Sequence, residues 1–284
     1  MDKRRCLVTL CVVTVLLAAC KSGARRDAYT PSDAQESDSL FEQAEQAESL
    51  KSMETNESMP VAADELFDDF FFNYAANRRL QLERTVFPLP VTRDGQIDKS
   101  IERKDWKTEP FFMTQDYYTL FFDSPQQMEL AKDTTVSRVV VEHINMDEDM
   151  VCQYGFRRDM GLWMLSEIKY QPLPRNPYAQ FLKFYRQFVT DSVFQRESLA
   201  EQIEFVGPDP DDDFRMIEGV ITPDFWDGFA PDLPGTELFN IVYGHQNAAA
   251  AQIVFVIRGI ANGMEVEMTF RMKNGRWKLT KLIT

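Results

Sequence analysis

Apolar residues in this chain follow two periodicities, and each occurs twice. Phe67, Phe70, Phe71 and Tyr74 fall on one face of a 3.6-residue helix, as do Phe181, Phe184, Tyr185 and Phe188. Toward the C-terminus the period becomes two. Val266, Met268, Phe270 and Met272 alternate with Glu265, Glu267, Thr269 and Arg271, which predicts a strand with one buried face. Asn274-Gly275 supplies a hairpin turn, and Arg276 to Ile283 returns as the partner strand. Ile253 to Ile257 is apolar at every position, so this strand lies centrally or is covered by a partner. Val136–Ile144, Val151–Arg158 and Leu162–Tyr170 repeat the scheme earlier, and Asp94-Gly95 predicts a further hairpin between helix and sheet.

The recurrence has one register. Besides the helix aromatics, Leu80, Gln81 and Glu83 return as Phe194, Gln195 and Glu197. Phe156-Arg157, Gly161, Trp163 and Leu165 return as Phe270-Arg271, Gly275, Trp277 and Leu279. Every pair lies 114 positions apart. The pattern predicts two copies of one domain, about residues 63–172 and 178–284, joined by the Pro-rich stretch Pro172 to Pro177. The expected class is α+β, each copy a long N-terminal helix packed on a curved antiparallel sheet.

Helix first, then long strands ending in G-x-W-x-L, this order resembles the cone-shaped nuclear transport factor two-like fold. That superfamily includes ketosteroid isomerases and polyketide-cyclase-like proteins. The resemblance implies tandem cones, and because such cones often dimerise through their sheets, it implies internal pairing of the two copies. Fold alone does not assign a function within so varied a group.

The N-terminus adds an address. Lys3-Arg4-Arg5 precede an apolar run from Cys6 to Leu17 and the small residues Ala18 and Ala19, the pattern of a signal peptide over residues 1–19. The run is shorter than the roughly 20 residues a membrane-spanning helix needs. Leu17-Ala18-Ala19-Cys20 resembles the lipobox of bacterial lipoproteins, which implies a diacylglyceryl group on Cys20 holding the chain to a lipid bilayer. Lys21-Ser22, with no acid directly after the cysteine, favours a periplasm-facing outer-membrane lipoprotein by the same resemblance. Residues 20–62 are rich in Ser, Ala, Gln, Glu and Asp and predict a disordered acidic tether, with an end-to-end distance of roughly 35 Å. Lipobox, tether, tandem units and Phe87-Pro88-Leu89-Pro90 together resemble an uncharacterised family of Bacteroidetes lipoproteins.

Charge and cysteine content narrow the functions. The formal net charge is −14, and removing the leader, which carries +2, leaves about −16. Such a polyanion has no basic surface with which to displace counterions from nucleic acid. Past Cys20 the sole cysteine is Cys152, which allows neither a disulfide framework nor a CxxC site and reads as a small core side chain. Two histidines, His143 and His245, provide no metal spacing, and no cofactor is implied. The run Asp209 to Asp213 lacks the alternation and glycine of a calcium loop and reads as solvated.

Isomerases of the resembling fold use a carboxylate with a tyrosine. Asp116 with Tyr117 and Tyr118, or Asp224 with Tyr243, offer that pair here. Tyr118, His143, Trp226, Tyr243 and His245 are the candidate pocket residues. The repeated pairs Phe111-Phe112 and Phe225-Trp226 are expected to cap each cone. The leading expectation is a non-enzymatic binding or interaction module meeting an envelope protein or a small ligand. The alternative is a small-molecule enzyme or carrier with a pocket in one cone.

Overall fold

A computed structural model describes residues 64–284 apart from Pro210 and Ala261. The expected signal peptide, Cys20 and the tether over residues 20–62 lie outside the described residues.

Each aromatic helix face forms as its spacing requires. The first helix, α1 (Phe67–Ala76), buries Phe67, Phe70, Phe71 and Tyr74. It does not run on as one long helix. Asn77 breaks it, accepting the backbone N–H groups of Arg79 and Leu80 at 2.9 and 3.1 Å to start α2 (Arg78–Glu83). One repeat later, α3 (Ala179–Thr190) buries Phe181, Tyr185 and Phe188. Asp191 then caps α4 (Ser192–Glu197) through the N–H groups of Val193 and Phe194, both at 3.0 Å. The repeat therefore includes a bend in the helix, and short polar caps cause it.

Twelve strands form one sheet. In the first half these are β1 (Leu89–Arg93), β2 (Gln96–Ile101), β3 (Tyr117–Phe122), β4 (Arg138–Asn145), β5 (Met150–Asp159) and β6 (Leu162–Pro172). The second half supplies β7 (Leu199–Asp209), β8 (Asp212–Ile221), β9 (Glu237–Tyr243), β10 (Gln252–Gly259), β11 (Glu265–Lys273) and β12 (Arg276–Ile283). Their spatial order is β2-β1-β6-β5-β4-β9-β3-β10-β11-β12-β7-β8. The sheet is mixed rather than wholly antiparallel: β1 with β6, β7 with β12 and β3 with β9 run parallel. Parallel pairing arises where a helix or long connection separates the partner strands.

Turn chemistry and bulges repeat with the sequence. Asp94-Gly95, Met160-Gly161 and Asn274-Gly275 all have positive φ at both residues, the geometry that suits two-residue hairpins. Register shifts between Gly155 and Phe156 and between Thr269 and Phe270 lie at equivalent positions and bend the sheet. Tyr74 meets Phe156 edge-on at 5.3 Å, and Phe188 meets Phe270 edge-on at 5.4 Å.

At the centre the halves exchange strands. β3 pairs with β10 and β9, and β9 pairs with β4 and β3, so neither bonds to a strand of its own half. Each face of this central region is covered by a different helix. The core under α1 takes Phe239, Ile241, Tyr243, Val254 and Val256 from the second half. The core under α3 takes Phe121, Ile144, Met146 and Val151 from the first. This explains why Ile253–Ile257 is apolar at every position: alternate residues enter opposite cores.

Candidate functional site

At the shoulder of α1 a polar group joins the two halves. Tyr243 donates its hydroxyl to Asp68 Oδ1, and Arg258 Nη1 lies 3.6 Å from Oδ2. Arg258 Nε donates in turn to Glu265 Oε2 at 2.8 Å. Tyr118, stacked on Phe112 at 5.0 Å, faces the same carboxylate. Burial pushes the Asp68 carboxyl above its ordinary value, against the Tyr243 hydroxyl and the Arg258 charge that pull it down. Burial likewise holds the phenols of Tyr118 and Tyr243 above theirs, so both remain protonated donors.

A carboxylate and tyrosines meet here, but the acid is neither of the two expected from the sequence. Asp116 and Asp224 are exposed, and neither joins a tyrosine pair. Asp68 takes that place because it projects from the helix beside the buried aromatic face. Its sequence signal was its repeat partner, since the equivalent position is Leu182. The hydroxyl of Tyr243 is already committed to Asp68, and the ring of Phe67 lies 6.2 Å from that of Tyr243. Phe67, Phe71, Phe111 and Phe112 are buried and fill the interior behind the group.

A second buried acid lies near the exchange point. Glu142 on β4 is 0% exposed. Gln153 and Asn176 donate to its Oε1 at 2.8 and 3.0 Å, and Asn240 donates to Oε2 at 3.0 Å. These amides come from β5, the connection between halves and β9. Gln246 adds a weaker contact outside ordinary hydrogen-bond geometry, and its amide nitrogen has no other partner. Burial outweighs these donors and raises the Glu142 carboxyl above its ordinary value.

At the foot of α3 the geometry is open instead. A groove of about 520 Å³ lies over Met146, Leu173 and Leu182, with Lys183, Arg186 and Asp149 on its rim. Arg186 Nη2 pairs with Asp147 at 3.1 Å. Lys183 has no ion-pair partner among the described residues.

The five candidate pocket residues occupy separate environments. Tyr118 and Tyr243 meet at Asp68. His143 stacks on Phe239 at 4.4 Å and bonds through Nε2 to Glu237 at 2.6 Å, a half-exposed cross-strand pair. Trp226 is buried under α3, its indole N–H donating to Gln195 Oε1 at 3.0 Å. His245 is exposed beyond the turn at Gly244, and its carbonyl accepts from Gln127. The expected aromatic caps diverge. Phe111 and Phe112 are both buried, whereas Phe225 is 69% exposed beside buried Trp226. The positive φ of Phe111 turns its ring inward, and Phe225 has ordinary helical-turn geometry facing solvent. Cys152 is buried, and burial pushes its thiol up to about 11, which leaves it unreactive. Among the described residues no group of three or more His, Cys, Asp or Glu could hold a metal.

Residues 46–284 match the domain of unknown function DUF4348. The chain belongs to this family. It is also similar to the crystal structure of an NTF2-like protein from Bacteroides fragilis NCTC 9343, with 40% identity and a TM-score of 0.73. That match covers 80% of this chain and 98% of the other. No curated protein matches. The DUF4348 match takes in both halves, and with them every group described above. Its fold is therefore NTF2-like in kinship, with a large mixed sheet and few helices.

Proposed function

We propose that this DUF4348 protein is an envelope-anchored, non-enzymatic binding module in which two cone-like units share one exchanged sheet. The observation that carries the reading is the closure of the Asp68–Tyr243–Arg258 group onto itself. Its hydroxyl donor, carboxylate and guanidinium are partners of one another, and aromatic side chains occupy the interior behind them. An enzyme of the carboxylate–tyrosine type needs those groups turned toward a substrate. The exchange supports the two-unit reading. Each half contributes at least four large apolar side chains to the other's core. At about 1.5–3 kcal/mol each, their burial totals on the order of 15 kcal/mol, comparable to the whole net stability of a domain.

In this reading Cys20 carries the lipid, residues 20–62 are the tether, and the folded unit hangs clear of a periplasm-facing outer-membrane surface. Its partner is an envelope protein or a small ligand, and its negative charge turns nucleic acid away. Cys20→Ala should leave an unlipidated chain that is lost from the membrane fraction. Unchanged fractionation and lipid labelling would overturn the anchor. A small molecule found in contact with Tyr118 or Tyr243 in a ligand-bound structure would favour the alternative, an enzyme or carrier acting at Asp68.

A further inference from the structure

We propose that β8 is a docking edge for a second copy of this chain, the two β8 strands pairing antiparallel about a twofold axis through Ile217. This surface goes beyond the binding-module reading and uses neither the Asp68 group nor the groove at α3. The sheet has two edges, β2 and β8, and they differ in kind. β2 has six residues, carries Lys99 and shifts register against β1 between Val91 and Thr92. A short strand, a lysine and a bulge all keep an edge from pairing. β8 has ten residues, neither lysine nor proline among them, and its register shift against β7 lies at the far tip. It is also longer than the repeat requires. Leu89 and Ile203 lie 114 positions apart, yet their cross-strand partners Ile101 and Ile221 lie 120 apart, so the second hairpin has six extra residues. The lengthened strand exposes apolar side chains, Met216 at 51%, Ile217 at 36% and Val220 at 59%.

Backbone direction makes this edge available. The Thr284 N–H donates to the Val206 carbonyl at 3.0 Å, so Val206 faces β12. Its partner on β8, Glu218, therefore turns its own N–H and C=O away from β7, and Met216 and Val220 do so by alternation. With Ile217 on the axis, Met216 meets the partner's Glu218 and both present outward peptide groups, so the ladder can form. Ile217 meets the partner's Ile217 in a non-hydrogen-bonded pair, where side chains come closest. An apolar row then crosses the axis. A Cβ on Gly207, the residue opposite Ile217, would strike the Phe205 ring, and Phe229 meets that ring edge-on at 5.1 Å. Arg215 comes opposite the partner's Gly219, beside which nothing lies within 4 Å.

Charge selects the register. An axis through Glu218 would set two carboxylates face to face. An axis through Ile217 brings Asp211, exposed at the hairpin tip, level with the partner's Pro223. The Pro223 carbonyl accepts from Arg196 Nη1 at 3.4 Å, so each acidic tip comes to an arginine of the other copy. The two tips themselves lie at opposite ends of the pair. Twelve residues of strand put them roughly 40 Å apart, well beyond the Debye length of about 8 Å. One repulsion remains, between the two Glu218 side chains, which stand diagonally at roughly 7–8 Å.

The test is disulfide trapping of the purified full chain under mild oxidant. Non-hydrogen-bonded partners have Cα atoms about 4.5 Å apart, within the roughly 4.4–6.8 Å that a disulfide spans. Ile217→Cys should therefore give a disulfide-linked dimer, at least tenfold more than Ile97→Cys, an exposed thiol on the other edge. Met216→Cys, one residue off the axis, should give less than Ile217→Cys. In the Ile217→Cys chain, Glu218→Pro removes an outward N–H, a change an edge strand tolerates, and should cut trapping at least tenfold. Glu218→Gln keeps that N–H, relieves the diagonal repulsion and should raise trapping. Asp211→Lys, at an exposed tip where the fold is not at stake, should lower it severalfold. Trapping no greater than at Ile97→Cys, trapping unchanged in both Glu218→Pro and Asp211→Lys, or a higher yield at Met216→Cys would each overturn the proposal. Capture of a different protein in place of a second copy would overturn it as well.

Discussion

The two helix-to-sheet junctions lie 114 positions apart in the sequence and have opposite chemistry. Under α1 the junction residues are Asp68, Arg258 and Glu265, linked by ion pairs and closed by Tyr243. Under α3 the equivalent positions hold Leu182, Ile144 and Val151, all buried and apolar. Aromatic packing, helix bends and bulges are kept in both halves, so the difference does not come from the scaffold. It lies in a few residues facing the exchanged strands. The polar junction fastens the halves in a fixed register, because its partners come from both of them. The apolar junction contributes to the core and leaves a groove beside it. One junction is a polar clasp and the other a sealed apolar seat.

Transplanting residues between the junctions is the strongest way to break that comparison. Leu182→Asp would place a carboxylate among apolar side chains, with Ile144 where Asp68 has its arginine. Loss of packing and an unpaired buried charge should together cost about 4 kcal/mol or more. The opposite exchange, Asp68→Leu with Arg258→Ile and Glu265→Val, replaces an ion-pair group as a unit. Such replacements are often neutral or stabilising, and the lost acceptor of Tyr243 offsets part of any gain, at about 1–3 kcal/mol. The triple variant should therefore stay within about 2 kcal/mol of the parent. Denaturant unfolding of both would decide it. Equal losses would mean that the two junctions are not the distinct devices described.

How much of this the sequence revealed depended on whether a signal was local. The helix faces around Phe71 and Tyr185, the Asn274-Gly275 and Asp94-Gly95 turns and the buried Cys152 follow from periodicity and turn chemistry. β3 and β9 do not, because Tyr117 to Phe122 is aromatic or aliphatic at every position but Thr119, shows no alternation, and finds its partners more than a hundred residues away. The β7–β8 hairpin was hidden for another reason. The Asp209 to Asp213 run at its turn has no glycine, and from Arg215 to Val220 every residue of β8 is exposed, so no alternating buried face marks it. Tyr118 and Tyr243 were legible as polar aromatics near strands, but the acid that unites them was not. Asp68 is one of two adjacent acids on its helix, and only the exchanged strand brings Tyr243 to it.

A smaller effect should separate the halves by pH. Glu142 is buried, and the residue 114 positions later is Val256, so only the first half titrates there. Burial raises its folded value above the ordinary one near 4.5. Between those two values the folded chain holds a proton that the unfolded chain has released. The Glu142 contribution to stability is then fully present at low pH, falls as pH rises through that window, and is flat above it. Glu142→Gln removes the titration while keeping an amide that can bond to its neighbours. The difference in melting temperature, parent minus variant, should fall steadily from pH 4 upward and then level. A constant difference across pH 4–8 would show that Glu142 does not take up a proton on folding.

The smallest effect tests what the two halves share. Asn77 and Asp191 are repeat partners that end one helix and cap the next, each accepting two backbone N–H groups. Replacing such a cap by alanine costs about 0.5–2 kcal/mol. Asp191 also brings a negative charge to the helix N-terminus, worth about 0.3–1 kcal/mol at low ionic strength and screened by salt. Asp191→Ala should therefore cost slightly more than Asn77→Ala in dilute buffer, and the gap should close in 1 M salt, where the Debye length is about 3 Å. Denaturant unfolding of the two variants at both salt concentrations would read that gap. A gap that persists in 1 M salt would place the asymmetry in the helices as well as in the junctions.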